Sequence, residues 1–272
     1  MGFDLQNLEA ALKVGRKSPY LPFSLHFFES VSSTNQILWD MLNQGANSGT
    51  VVIATSQTAG KGQWGRQWIS PTGGLYLSLA ISFDQKIEAN ESYQLTFASA
   101  WGIGSQLRQY NVNVGIKWPN DLVLNGRKLG GILTETKVNK GQITQAVIGV
   151  GINWTNPVPE TGINLESWQA SQNYRAISCL EMLTSTVLLG IESGVQCLFQ
   201  EGINILLPGY LDLLTNIGDK VYVNNLLGTV VGVTPQGNLR IDVENYGTKE
   251  LFTPEIYIQP GTISLGYHKS SI

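Results

Sequence analysis

The chain has 272 residues, 42% hydrophobic and 14% charged, with a formal net charge of −3. That make-up is of a soluble globular protein with material for one large domain, or a domain plus a small module. The mild negative balance disfavours broad electrostatic binding to nucleic acid, no run approaches the roughly 18 apolar residues of a membrane span, and the N-terminal residues lack a signal peptide's basic and apolar segments, so a cytoplasmic, reducing compartment is expected.

In chain order, Leu5 to Val14 reads as a short amphipathic piece, followed by a Pro19 to Pro22 connector and a strand at Leu25 to Phe28. Ser33 and Gln36 have capping-box spacing and open a helix with apolar Ile37, Leu38, Met41 and Leu42. Gly45 is its stop. Apolar runs at Thr50 to Thr55 and Leu75 to Ile81 flank a glycine-rich stretch, and a second helix spans about Ser92 to Gln109. Gly115 to Trp118 is short and extended. Asp121 to Leu124 and Lys128 to Lys137 flank Asn125-Gly126, a hairpin-turn dipeptide. Gln142 to Gly151 makes another strand, and a long helix from about Ile177 to Gln200 packs on the sheet. The expected core is α+β: a mixed, largely antiparallel sheet with helices on one face.

The character changes near Pro208 to Gly218. Beyond it, strands are expected at Lys220 to Val223, Gly228 to Val233, Leu239 to Val243 and Lys249 to Phe252. Turns at Asn224-Asn225, Pro235 to Gly237 and Asn245 to Gly247 separate them, as in a small SH3-like barrel. The division is therefore residues 1–24 as an N-terminal extension, 25–213 as the main domain and 214–272 as the β module. Cys179 and Cys197 fall in one expected helix, roughly 27 Å apart at 1.5 Å per residue. They cannot pair, show no metal-ligand spacing, and read as buried structural thiols. His26 and His268 are isolated and read as structural or surface residues.

Three stretches carry chemistry. Gly60-Lys61-Gly62-Gln63-Trp64-Gly65-Arg66-Gln67-Trp68 puts three glycines and two cations in one short loop, where backbone N–H groups approach an anion closely. Its spacing also fits the dinucleotide fingerprint, but that needs a helix after the glycines. Pro71, Gly73 and Gly74 forbid one. A kinase glycine loop fails too, for want of His-Arg-Asp and Asp-Phe-Gly motifs. The second stretch is Lys117-Trp118-Pro119-Asn120-Asp121-Leu122. Its lysine is either a side chain snorkelling past an aromatic ring or a cation aimed at a substrate oxyanion or phosphate. The third pairs Gly130-Gly131-Ile132-Leu133-Thr134-Glu135 with Gly149-Val150-Gly151-Ile152-Asn153. Glycine inside strands marks either close approach of a ligand or tight strand packing.

Taken in order, these pieces resemble biotin protein ligase. The matching run passes from Ser33-Thr34-Asn35 through Gln57-Thr58-Ala59, Gly60 to Trp68, Leu75 to Ser78 and Lys117 to Leu122, to Gly131 to Glu135 and Gly149 to Asn153. It covers about residues 25 to 260. The resemblance implies a class II aminoacyl-tRNA synthetase/biotin ligase-like fold with an SH3-like C-terminal domain. It implies ATP with Mg²⁺ and biotin as co-substrates, and no permanently bound cofactor or protein-held metal. Ser33, Thr34, Asn35 and Gln57 would surround the biotin ring, with Lys61, Gly62, Gln63 and Gly131 beside it. Arg66, with Lys61, Trp68, Asn120 and Asn153, would meet the nucleotide. Lys117 would serve both ligands, and with Arg66 would be catalytic. The acceptor implied is the biotin carboxyl-carrier protein of acetyl-CoA carboxylase, and family members often form homodimers.

Two departures qualify the resemblance. The family loop commonly reads Gly-Arg-Gly-Arg, whereas Lys61 lacks the bidentate fork and Gln63 lacks the charge. Only about two dozen residues precede the matching strand, too few for the winged-helix domain of some members, so a stand-alone ligase with no DNA or membrane partner is expected. The rivals are a lipoate or octanoate ligase, whose His-Asp pair is not found, and a non-catalytic biotin or nucleotide binder, against which Lys117 and Arg66 speak.

Overall fold

The computed structural model describes residues 2–16, 19–83, 87–223, 225–243 and 255–267. Helix α1 (Leu5–Gly15) precedes β1 (Ser24–Val31), α2 (Thr34–Asn43), β2 (Thr50–Gln57) and β3 (Gly74–Ser82). Then come α3 (Ser92–Gln109), β4 (Gly115–Lys117), β5 (Asp121–Leu124), β6 (Arg127–Asn139) and β7 (Gln142–Asn153). Helices α4 (Leu165–Ser171), α5 (Leu180–Glu201) and α6 (Ile203–Leu213) follow. A second set of strands closes the order: β8 (Lys220–Val223), β9 (Leu226–Val233), β10 (Leu239–Val243) and β11 (Glu255–Ile258).

Strands β1 to β7 form one sheet in the order β1-β2-β3-β7-β6-β5-β4. Only β1 and β2 run parallel within it. Side chains alternate across a pleated sheet. On one face Val51, Ile53, Leu75, Leu77, Leu79, Ile148, Val150 and Ile152 join the main core, which α1, α3, α5 and α6 complete. The other face carries Val52, Ala80 and Val147, covered in part by Leu38 and Leu42 of α2. The large helices thus lie on one face as expected, and α2 adds partial cover to the other.

Helices α3 and α5 approach closely because glycines face each other. A Cβ on Gly190 would sit 2.7 Å from the Ile103 Cα and 2.9 Å from the Gly102 carbonyl carbon. Helix α5 is long and apolar enough to cross a membrane, with a mean hydropathy of 1.4 over 18 residues. That corrects the expectation that no segment is. Here 67% of that window is buried, so it is a core helix. Glu192 of α5 accepts from Arg16 Nε at 3.0 Å and from the backbone N–H groups of Tyr20 and Leu21 at 2.8 Å. With Leu8 and Leu12 buried, this ties residues 5–16 and 19–21 to the main core.

Several local expectations change. Ser33 is the N-cap of α2 but makes no side-chain cap bond, so no capping box forms. Gln36 instead donates to Asp40 and accepts from Lys61. Cys179 is the exposed N-cap of α5 and Cys197 is half-buried, so neither is a buried thiol. Helices α4 and α6 were not expected, and α6 contains Pro208. His26 Nε2 lies 3.2 Å from Ser24 Oγ.

The second sheet is antiparallel, in the order β11-β10-β9-β8. The expected strand Lys249 to Phe252, the turn Asn245 to Gly247, Asn224 and His268 lie outside the described residues. Trp118 joins the two parts. Its backbone N–H donates to Asn216 Oδ1 at 2.9 Å, and its indole N–H donates to the Gly237 carbonyl at 2.9 Å.

Candidate active site

The two-residue period of the sheet decides where the site lies. On β6 and β7, Ile132, Val150 and Ile152 point to the helices. Their neighbours Gly131, Gly149 and Gly151 therefore lie on the opposite face, with Gly131 paired to Gly151 and Ser78 of β3 paired to Gly149. Without Cβ atoms these positions form a low floor that other groups can reach. Asn35 fills the space over Gly149, and the Trp68 indole that over Gly151. A cavity of about 470 Å³ opens above this floor.

The N-terminus of α2 supplies one wall. Thr34 and Asn35 are almost fully buried, so their polar atoms need partners. The Thr34 backbone N–H donates to Gln57 Oε1 at 2.9 Å, and its hydroxyl lies 3.2 Å from the same oxygen. Gln57 Nε2 donates to Ser70 Oγ at 2.8 Å. Ser78 Oγ lies 2.8 Å from Thr34 Oγ1 and 2.6 Å from Asn35 Oδ1. Asn35 Nδ2 donates to Glu135 Oε2 at 2.8 Å, which also accepts from Trp39 Nε1 at 3.3 Å. The wall is thus a rigid polar chain that fixes donors and acceptors against a planar polar ring.

The glycine-rich loop forms the rim. It is not a row of free amides: the Trp68 N–H donates to the Gly60 carbonyl at 2.9 Å and the Gly62 N–H to the Arg66 carbonyl at 2.7 Å. The expected cradle of glycine N–H groups is to that extent spent on a small hairpin. Trp64 and Gly65 take positive φ at its tip. Exposed Lys61 bonds Gln36 Oε1 at 3.0 Å, and the exposed Arg66 guanidinium lies 5.7 Å from the Trp64 ring centre. Gln63 Oε1 and Trp68 Nε1 are buried without a hydrogen-bond partner, and both residues line the cavity. Unmet buried groups of this kind are costly, and a bound polar ligand would relieve them.

Lys117 ends β4 at the other side of the cavity and is 9% exposed. Its Nζ lies 3.6 Å from Asp121 Oδ2, whereas Lys128 Nζ is 2.7 Å from Asp121 Oδ1. Lys128 also lies 5.0 Å from the Trp68 ring centre. Burial pushes the Lys117 pKa below a lysine's usual value; Asp121 offsets this in part, and Lys128 and Arg66 add to the lowering. Among the described residues the cavity gathers four cations, Lys61, Arg66, Lys117 and Lys128, against one lining carboxylate, Asp121. Such a site attracts and neutralises anions.

Of the residues singled out from sequence, Ser33, Thr34, Asn35, Gln57, Lys61, Gly62, Gln63, Arg66, Trp68, Lys117, Asn120 and Gly131 all line this one cavity. Asn120 is pinned there by donating to the Ile132 carbonyl at 2.7 Å. Asn153 does not line it. Its amide donates to the Lys128 carbonyl of β6 at 3.3 Å and accepts from Asn156, in the turn after β7, at 3.0 Å. Lys128, Ser78, Glu135 and Tyr267 escaped sequence reasoning as site residues. Ser78 and Glu135 stood inside recognised stretches, Leu75 to Ser78 and Gly130 to Glu135, and Lys128 two residues before the second; Tyr267 stood beside none.

This sheet, floor and cationic rim have the fold of a biotin protein ligase. The biotin protein ligase from Aquifex aeolicus, solved in complex with biotin and ATP, superposes with a TM-score of 0.68 at 22% identity, over 90% of this chain and 99% of that one. The signature of the biotin/lipoate A/B protein ligase family matches residues 27–153. The bifunctional ligase/repressor BirA of Escherichia coli is 32% identical over 222 residues, which is 78% of this chain and 67% of the relative. The Bacillus subtilis protein of the same name is 28% identical over 256 residues, covering 91% of this chain and 78% of the relative. The chain belongs to the biotin/lipoate A/B protein ligase family.

Proposed function

We propose that this chain is a biotin–protein ligase that activates biotin with ATP and transfers it to a lysine of an acceptor protein. The observation that carries the reading is the convergence of Lys61, Arg66 and Lys117 on one cavity whose opposite wall is the Thr34, Asn35 and Gln57 chain. In the first step the biotin carboxylate attacks the α-phosphate of MgATP, giving biotinyl-5′-AMP and pyrophosphate. Both reactants are anions, so cations held in a low-dielectric cleft lower the barrier most where charge builds up. Lys117 is the residue for that place, since it is the most buried of them. Arg66 and Lys61, on the rim, meet the phosphates. In the second step the acceptor lysine amine attacks the acyl phosphate, the C–O bond to AMP breaks, and the amine loses a proton as the amide forms. Closure of the glycine-rich loop over the adenylate keeps water from it.

The polar wall favours biotin over lipoate. A ureido ring supplies two N–H donors and a carbonyl that can use the remaining hydrogen-bonding capacity of Thr34, Asn35 and Gln57, whereas a dithiolane offers that polar wall no such partners, and a site built for hydrogen bonds rejects such an analogue strongly. We read residues 25–213 as the catalytic domain, 214–272 as an SH3-like module and the biotin carboxyl-carrier protein of acetyl-CoA carboxylase as the acceptor. The test is to incubate the protein with ATP, Mg²⁺ and a carrier domain, with biotin or with lipoate. Mass gain of the carrier with biotin alone is expected. Gain with lipoate alone overturns the assignment.

A further inference from the structure

Residues 261–267 cross the cavity from its glycine-rich rim to Lys117. Gly261 packs on Trp64 so closely that a Cβ there would meet the indole Nε1 at 2.6 Å. Ile263 and Leu265 line the cavity, and Leu265 is buried in the main core. Tyr267 then makes two contacts at once. Its hydroxyl donates to Asp121 Oδ2 at 2.6 Å, and Lys117 Nζ lies 4.1 Å from its ring centre. Asp121 Oδ1 is taken by Lys128 at 2.7 Å. Both carboxylate oxygens thus have partners nearer than Lys117, which stands 3.6 Å off.

We propose that Tyr267 is a positioning residue for Lys117: its hydroxyl occupies Asp121 Oδ2 and its ring covers the ammonium, so the lysine is held in the cavity without being neutralised by a close ion pair. The inference rests on the reading of Lys117 as the cation that meets the reacting anions. An aromatic face holds a cation in place yet leaves its charge available. A carboxylate in direct contact would tie that charge up. Burial and the neighbouring Asp121 carboxylate push the Tyr267 pKa upward, so the hydroxyl stays protonated and keeps donating at any working pH. Among the described residues, the charged groups that face Lys117 are Asp121 on β5, Lys128 on β6 and Arg66 on the loop. Tyr267 is the neutral side chain set among them.

The experiment compares Tyr267→Phe, which keeps the ring, with Tyr267→Ala, which removes both contacts. Lysine side-chain NMR, with Lys117 assigned by its loss in Lys117→Arg, follows its titration directly. Biotin-dependent pyrophosphate release and biotin affinity are measured beside it. In both variants the Lys117 midpoint is expected to rise, since Asp121 Oδ2 becomes free to pair with it, and further in Tyr267→Ala, where water reaches the ammonium. Pyrophosphate release should fall by about thirtyfold in Tyr267→Ala, the size of one desolvated cation–π contact, with biotin affinity and melting temperature unchanged. An unmoved midpoint in both variants overturns the proposal. So does faster release by Tyr267→Ala, which would make the segment a plug. The NMR arm needs no catalysis: if the unaltered protein releases no pyrophosphate, the ligase reading fails while the midpoints still decide the role of Tyr267.

Discussion

Asn35 Nδ2 donates to Glu135 Oε2 at 2.8 Å, joining the first turn of α2 to the middle of β6. A carboxylate only accepts, so it forces the NH₂ end of the Asn35 amide toward itself and the oxygen toward Ser78. Glu135 thereby sets which end of the amide the cavity wall presents. Glu135→Gln offers a donor as well as an acceptor and releases that choice. Biotin affinity measured by calorimetry should fall about tenfold, one oriented hydrogen bond, while the KM for ATP stays unchanged. Equal losses for both substrates would show general damage instead.

Gly149 lies under the same amide. A Cβ there would meet Asn35 Nδ2 at 3.1 Å and overlap the amide oxygen and carbon. Gly149→Ala should therefore displace Asn35 and weaken biotin binding more than Glu135→Gln does, with melting temperature lowered by only a few degrees. Unchanged biotin affinity in the alanine variant would remove Asn35 from the wall.

The lowered pKa of Lys117 has two consequences of opposite sign. If adenylation uses the ammonium as proposed, its rate should fall as pH rises through a value below that of an ordinary lysine. Stability runs the other way. The folded pKa lies below the unfolded one, so the cost of burying the charge is full below the folded value and is relieved as pH climbs from it to the unfolded value. Lys117→Met removes that cost, and its melting temperature at neutral pH should be no lower than that of the unaltered protein. A marked drop would show that Lys117 is a structural ion pair.

The seam between α3 and α5 bears on stability alone. A Cβ on Gly190 would press on the Gly102 and Ile103 backbone. Gly190→Ala should cost about 1–3 kcal/mol in denaturant unfolding and leave biotin affinity intact where the protein remains folded. A neutral or stabilising effect would mean that the helices separate without strain.

Gln63 stands where family members commonly carry arginine, and its side-chain oxygen is buried without a partner. Lacking that charge, the loop should hold the adenylate loosely. Gln63→Arg should slow escape of biotinyl-5′-AMP, followed by trapping it in the absence of acceptor. Equal escape rates reject the idea.

Much of this was legible in the chain because it is written locally. The apolar runs of Thr50 to Thr55 and Leu75 to Ile81, the Asn125-Gly126 turn and the span of α3 follow from short-range pattern and hold in the fold. So does the gathering of Lys117, Arg66 and Lys61, since the ordered motifs carry it. What failed depended on partners distant in sequence. Gln36 was expected to close a capping box, but its amide oxygen takes Lys61, 25 residues on. Pro208 reads as a break, yet α6 continues through it, held by buried Leu206 and by Tyr210, whose hydroxyl donates to the Pro119 carbonyl at 3.0 Å. Tyr267 reaches Asp121 across 146 residues, and no local pattern announces that contact. Asn153 shows the converse: a motif residue whose side chain is engaged by its own turn at Asn156 and by the Lys128 carbonyl on the neighbouring strand.

The central claim is that buried Lys117 neutralises the anions that react in this cavity. Pyrophosphate release from ATP, measured with and without biotin for the unaltered protein and for Lys117→Met, tests it most directly. Release should require biotin and fall by at least about a hundredfold in the variant, the usual cost of losing a buried group that stabilises developing charge. Biotin-dependent release that survives in Lys117→Met would contradict the account.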